Sequence, residues 1–354
     1  MAPEAAEDIA MTTARLRTAL RSFQSSGRAF QLIQQHAPTP TPSSPAAARK
    51  CRTLVVLDSS FNPPTLAHMQ MATSALQDLR DQQSIAAALR GGSAGQRHGL
   101  TDGVRLLLLL AVNNADKAPK PATFEERLLM MGAFAGDLQR AWRTLEKQME
   151  AKGEDIHARA LAHEDEATLP VDVGLTTHPY FHDKSAAIAT SPEYDFHSAQ
   201  TDNTGEPHTS QIFLAGYDTL IRIFTPKYYT SPVPEAGIDP PQLDKTPMQM
   251  ALDPFFARAQ LRVTMRTDDD WGGREDQLGY LERIMHGNEL EEVGGRREWA
   301  RRVELVEGMS GDTEGGAVSS TLAREAVKAG DWGRLRQLVP GGVASLIEKE
   351  AVAW

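Results

Sequence analysis

Residues Thr53–His68 read TLVVLDSSFNPPTLAH: a short apolar run, an acidic residue, two serines and then Asn-Pro-Pro, after which the chain is apolar again. The run Thr53–Leu57 does not alternate polar with apolar residues, which is the pattern of a strand covered on both faces. Pro63 and Pro64 stop it, because each ring locks φ and removes a backbone donor. A helix is predicted from there to about Leu79, with His68 in its first turns. In an open parallel sheet this is where ligands bind, beyond the carboxyl ends of the strands, where helix N-termini present free N–H groups. A rigid loop with a histidine at a helix start suits a phosphate chain. Taken alone, the stretch fits a plain strand-turn-helix connection with a surface histidine equally well.

Apolar runs of the same kind recur at 104–112, 171–176, 211–215, 261–265 and 302–307, separated by helical patterns. They predict an α/β fold with a doubly wound, mostly parallel, Rossmann-like sheet. Upstream, Leu16, Leu20, Phe23, Phe30 and Ile33 recur at near-helical spacing, so residues 11–35 are read as one amphipathic helix packed on the main body. The following HAPTPTPSSPAAA (His36–Ala48) reads as an extended linker. Residues 1–50 are therefore taken as an N-terminal helix and linker, and 51–354 as the main domain. Within it, the polar or Pro/Gly-rich stretches 182–210, 231–247 and 266–299 read as loops inserted at the sheet edges.

Composition narrows the function classes. A chain of 354 residues with 41% hydrophobic and 24% charged residues has the balance of a packed globular protein. The formal net charge of -10 opposes sequence-independent binding to nucleic acid, so a phosphate ligand must be held locally. With Cys51 as its single cysteine the chain can form no internal disulfide, and a reducing compartment is expected. The longest apolar run, Leu106–Val112, is too short to span a bilayer. Arg15, Arg17, Arg21 and Arg28 give the N-terminus a faint likeness to a mitochondrial presequence, against which Glu4, Glu7 and Asp8 argue. His178 and His182 stand four apart, but Pro179 disfavours the helix that would aim both at one metal. Asp268, Asp269 and Asp270 read as a solvated acidic run.

A second candidate lies near the other end. GMSGDTEGGAVSSTLARE (Gly308–Glu325) gives a Gly-rich loop, then the N-cap types Ser319, Ser320 and Thr321, then good helix formers. Arg324 falls one turn into that helix, where its guanidinium can return toward an anion at the N-terminus. The bland alternative is a capped helix with a solvated arginine.

SFNPPTLAH followed late in the chain by VSSTLAR resembles the paired signature of nucleotidyltransferases with HxGH and ISSTxxR motifs, specifically the nicotinamide mononucleotide adenylyltransferases, in a divergent fungal-type form. VNNADKAPKPATFEERLLMM (Val112–Met131), FLAGYDTLIRIFTPKYY (Phe213–Tyr229) and the C-terminal helices from Ser319 are similar to family segments in the same order. The chain departs from the pattern at Ser59 and Ala67, which stand in place of glycines, and at Thr65, in place of the first histidine. The resemblance implies transfer of the adenylyl group of ATP to nicotinamide mononucleotide, giving NAD and pyrophosphate, with Mg²⁺ arriving on the ATP. It implies His68 at the α-phosphate, supported by Thr65, with Ser60 and Phe61 in the phosphate-binding turn. Ser319, Ser320, Thr321 and Arg324 would hold the β- and γ-phosphates. Lys117 and Arg127 would serve the acceptor phosphate and the developing charge. Gly216 and Asp218 would receive the ATP ribose, and Tyr229, with Tyr180 opposite, the pyridine ring. A cytosolic or nuclear protein, as a homo-oligomer or not, is the family expectation. The phosphate motifs read neither base nor acceptor, so a related cytidylyl- or adenylyltransferase, an ATPase, or a nucleotide-binding scaffold without activity stay open.

Overall fold

The apolar runs become strands because their residues have helices on both sides to bury them: Leu54, Val55, Val56 and Leu57 are all at most 1% exposed. The computed structural model describes residues 3–36, 51–89, 103–113, 122–152, 169–196, 210–229, 244–266, 272–308 and 318–350. Lys117, the acidic run at 268–270 and most of the predicted linker lie outside them.

In chain order the elements are α1 (Pro3–Ser25), β1 (Phe30–His36), β2 (Thr53–Asp58), α2 (Leu66–Leu89), β3 (Val104–Ala111), α3 (Phe124–Lys152), β4 (Val171–Thr176) and α4 (Phe181–Ala189). There follow β5 (Gln211–Gly216), α5 (Tyr217–Ile223), α6 (Pro247–Arg258), β6 (Ala259–Thr264), α7 (Arg274–His286), α8 (Glu289–Glu292), β7 (Val303–Val306), α9 (Ser320–Lys328), α10 (Trp332–Leu338) and α11 (Gly341–Glu350). Among the described residues the strands form one seven-stranded sheet in the order β1-β4-β3-β2-β5-β6-β7. Every neighbouring pair is parallel except β1 with β4. The fold is thus α/β, doubly wound around a mostly parallel sheet.

Alternate residues of each strand feed two cores. Val55 and Leu57 face a layer with Leu76, Phe134, Trp142 and Leu335, from α2, α3 and α10, while Leu54 and Val56 face Phe213, Phe255 and Ile188 on the other side. The chain winds outward from β2 to β3 and β4, then returns to place β5 on the other flank of β2 and continues to β6 and β7. The reversal lies between β2 and β5, and the crevice above such a point is where open α/β sheets hold ligands.

One element differs from the expectation. The N-terminal helix ends at Ser25, and Phe30–Gln35, expected inside it, forms with His36 an edge strand. Gly27, at φ +67, makes the break. Phe30 and Ile33 fit a helical period and a strand equally over so few residues, and hydrogen bonding to β4 decides the matter. The stretches read as insertions are also more ordered than expected: residues 181–189 fold as α4 and 274–286 as α7. In α7 only Gln277 and Ile284 are buried, so its sequence carries almost no apolar stripe.

Candidate active site

Above the β2/β5 divide lies a cavity of about 470 Å³. Asp58, Ala111 and Gly216, the last residues of β2, β3 and β5, form part of its floor. Of the residues singled out in the sequence, His68, Ser60, Arg127, Gly216, Tyr180, Tyr229 and Arg324 line it.

His68 is fixed on three sides. The Thr65 backbone N–H reaches its Nδ1 at 3.0 Å and the Thr65 hydroxyl does so at 2.8 Å. The Ser59 Oγ lies 2.9 Å from Nε2, and the Phe61 ring packs 5.7 Å away, centroid to centroid. A backbone amide can only donate, so Nδ1 accepts and the ring proton sits on Nε2. Burial lowers the imidazole pKa to about 4, which keeps the ring neutral at neutral pH. Nε2 therefore donates to Ser59, and His68 cannot act as the base that would turn Ser59 into a hydrolase-type nucleophile. What it presents to the cavity wall is a fixed hydrogen-bond donor.

The two motifs, far apart in sequence, meet directly. Arg324 Nη1 donates to the Asn62 carbonyl at 2.8 Å, and the Ser320 hydroxyl donates to the Pro63 carbonyl at 2.8 Å. Arg324 Nη2 also donates to the Thr321 hydroxyl at 2.9 Å. Ser319 caps α9 by accepting from the Leu322 N–H at 3.2 Å, which satisfies an otherwise orphaned amide. Arg127 Nε donates to the Ala122 carbonyl at 3.0 Å, and its guanidinium lies 5.2 Å over the Phe124 ring. Burial first, and then the charge of Arg324, hold Arg127 below its ordinary pKa. Arg127 and Arg324 thus bring two guanidiniums to one wall, a donor set that suits an anion.

The far wall is aromatic. Tyr180 and His182 stack at 5.7 Å with 7° between their planes, His182 lies 5.6 Å from Tyr229, and Tyr180 lies 6.3 Å from Tyr228. The Tyr229 hydroxyl donates to the Ile223 carbonyl at 2.7 Å, which fixes the ring and leaves it as a face rather than a polar group. Burial lowers the His182 pKa, which favours its neutral form. Between the two ends Lys184 pairs with Asp58; both side chains are under a tenth exposed and both residues line the cavity. A buried pair is weak as a stability device, and its place is better explained by what it holds in order.

Several expected residues sit elsewhere. Phe61 and Thr65 are buried and do not line the cavity; Phe61 packs against Phe134, and the polar groups of Thr65 face His68. Thr65 thus orients the imidazole and does not reach the cavity. Ser319, Ser320 and Thr321 build the clasp behind Arg324 without facing the cavity. Asp218 is neither a cap nor a lining residue: it lies in the first turn of α5, with Arg266 at 3.8 Å and Arg222 at 4.0 Å. A Cβ on Gly216 would meet its Oδ1 at 2.8 Å, so a larger residue there would displace the carboxylate. Sequence reasoning missed Asp58, Lys184, His182 and Tyr228. The crowding of rings in HPYFH (His178–His182) could have pointed to the aromatic wall; no spacing rule points to a lone buried lysine.

No protein-family model matches the chain. It is similar to a Schizosaccharomyces pombe protein whose assignment as a nicotinamide mononucleotide adenylyltransferase is itself provisional: 29% identity over 295 residues, spanning 83% of this chain and 84% of that one. Among solved structures, the Plasmodium falciparum nicotinic acid mononucleotide adenylyltransferase complexed with NaAD is 12% identical with a TM-score of 0.35, over 85% of this chain and 97% of that one. The same enzyme complexed with APC gives 11% and 0.37, over 85% and 96%. The reading of the site rests on its own geometry.

Proposed function

We propose that this chain is a nucleotidyltransferase that joins the 5′-phosphate of nicotinamide mononucleotide to the adenylyl group of ATP, forming NAD and releasing pyrophosphate. The observation that carries the reading is the direct contact of Arg324 with the Asn62 carbonyl, which puts the late motif and the His68 loop around one cavity at the reversal point of the sheet. The similarity of most of the chain to the S. pombe protein supports the same assignment.

In the reaction an oxygen of the mononucleotide phosphate attacks the α-phosphorus of ATP. The new P–O bond forms as the bond to the β-phosphate oxygen breaks, and the electron pair leaves on pyrophosphate. The phosphate groups need no protein nucleophile; alignment and charge stabilisation supply the rate. Arg324 and Arg127, which line the cavity, hold phosphate oxygens and absorb charge on the leaving group in this reading. His68, neutral with its proton on Nε2, directs donation toward the α-phosphate region. The aromatic wall of Tyr180, His182, Tyr228 and Tyr229 suits the pyridine ring by stacking. Mg²⁺ belongs to the MgATP substrate and would be held by phosphate oxygens. Among the described residues no three His, Cys, Asp or Glu side chains gather to hold one.

The test is incubation of the purified chain with ATP, nicotinamide mononucleotide and Mg²⁺. NAD and pyrophosphate are expected in equal amounts, and the same assay with nicotinate mononucleotide ranks the two acceptors. Release of inorganic phosphate without NAD would instead mark an ATPase.

A further inference from the structure

Ser59 stands where the resembled motif has a glycine, and the structure gives its side chain a definite place. Its backbone N–H donates to the Leu109 carbonyl at 3.3 Å, tying the start of the loop to β3. Its Oγ lies 2.9 Å from His68 Nε2, and the residue lines the cavity. Because Nδ1 of His68 is committed to accepting from Thr65, Nε2–H donates and the Ser59 oxygen accepts. A hydroxyl has one proton and two lone pairs. With one lone pair engaged by the imidazole, and no other partner for Oγ among the described residues, the hydroxyl proton is left to turn into the cavity. We infer that Ser59 is a further nucleotide-binding residue of this chain, its hydroxyl donating directly to a phosphate oxygen of the bound triphosphate while His68 holds and polarises it from behind.

The inference rests on the proposed function, which fills the cavity with a nucleoside triphosphate. The chain of donors runs from Thr65 through the imidazole to Ser59 and then to the phosphate. A hydroxyl that already accepts from an N–H is a stronger donor than an isolated one. The loss of a close backbone approach, which a glycine would allow, is thus offset by a side-chain donor. The ring proton need not leave His68, in keeping with the low basicity of the buried imidazole.

Isothermal titration of the full chain with MgATP, which needs no turnover, tests this. Ser59→Ala is expected to weaken MgATP about tenfold, the usual size for a hydrogen bond to a charged oxygen. Ser59→Thr, which keeps the hydroxyl, should stay within about threefold of wild type. In a His68→Ala background the same Ser59→Ala change should weaken binding less, because the hydroxyl is no longer held from behind. If Ser59→Ala destabilises the chain in a thermal melt, Ser59→Gly gives the same comparison without a new side chain to accommodate. MgATP binding unchanged in both Ser59→Ala and Ser59→Gly, or equally weakened in Ser59→Thr, overturns the inference while the proposed function stands. Failure of the wild-type chain to bind MgATP at all is the different result that removes the proposed function and the inference with it.

Discussion

At position 68 an imidazole is enclosed by Thr65, Phe61 and Ser59, and its chemistry follows from that enclosure. Under the proposed function, replacing it with alanine removes the group that directs donation at the reacting phosphate. Turnover should fall about 10²- to 10³-fold, the usual range for one such donor, with the thermal melt largely kept. Steady-state kinetics beside a melt separates the two effects. The enclosure also carries a pH signature. A folded-state pKa of about 4, below the ordinary 6.5, means that the unfolded chain binds the extra proton first. The stability it contributes is complete above pH 6.5 and drains away as pH falls through 4, by on the order of 3 kcal/mol at most. Urea midpoints of wild type and His68→Gln, compared at several pH values across that window, should therefore diverge, the variant being the less acid-sensitive. If the two slopes match, His68 is not held in the manner described. Phe61 shows where local rules yield to the site: its φ of 46° places a bulky residue in the left-handed region, and full burial against Phe134 holds it there. The sequence announces the loop through its prolines but gives no sign that its middle residue faces inward.

The elements were legible where packing is symmetrical and obscure where it is not. The strands β2 to β6 read directly from their apolar runs, since burial on both faces leaves little ambiguity of period, and β7 read from its run although only Val303 of it is buried. The edge strand β1 did not, because one side of it is solvent and its residues Phe30, Leu32 and Ile33 also fit a helix. Its register leaves a mark at Gly174 in β4, where an added Cβ would come within 2.9 Å of the Phe30 ring and 3.1 Å of a Leu107 methyl. Gly174→Ala should accordingly destabilise the protein by about 1 to 3 kcal/mol through overpacking, read as a lowered urea midpoint. An unchanged midpoint would show that β1 does not lie against β4 as described. Helix α4 was hidden for another reason: its buried residues are Lys184, Ser185 and Ile188, two of them polar, so its inward face lacks an apolar stripe. Ser185 meets Gln211 in a buried hydrogen bond of 2.7 Å, and Lys184 meets Asp58; both are tertiary partnerships invisible to any local pattern.

For the whole molecule, the decisive feature is the strand order, which puts β2 between β3 and β5 and so opens the crevice. Alternating apolar runs predicted the layers but not which strand would lie at the reversal; the two motifs, read as binding one ligand, supplied that. The N-terminal segment proves integral to the assembly. Leu16 and Phe23 of α1 are at most 1% exposed, in the same core as α3, and β1 covers the edge of β4. A chain lacking residues 1–50 loses those burials, worth roughly 1.5–3 kcal/mol for each large side chain, and bares a strand edge. It should aggregate or melt without cooperativity in calorimetry; a sharp wild-type transition would mean that α1 and β1 merely decorate the body. Among the described residues no helix is long and apolar enough to cross a membrane. The clasp of Arg324 and Ser320 on the backbone of Asn62 and Pro63 reaches further. The two halves of this clasp are 262 positions apart in the chain, so a fragment that stops short of α9 carries half a grip. Such a fragment keeps the imidazole and its surrounding turn but lacks the guanidinium that braces the turn from outside.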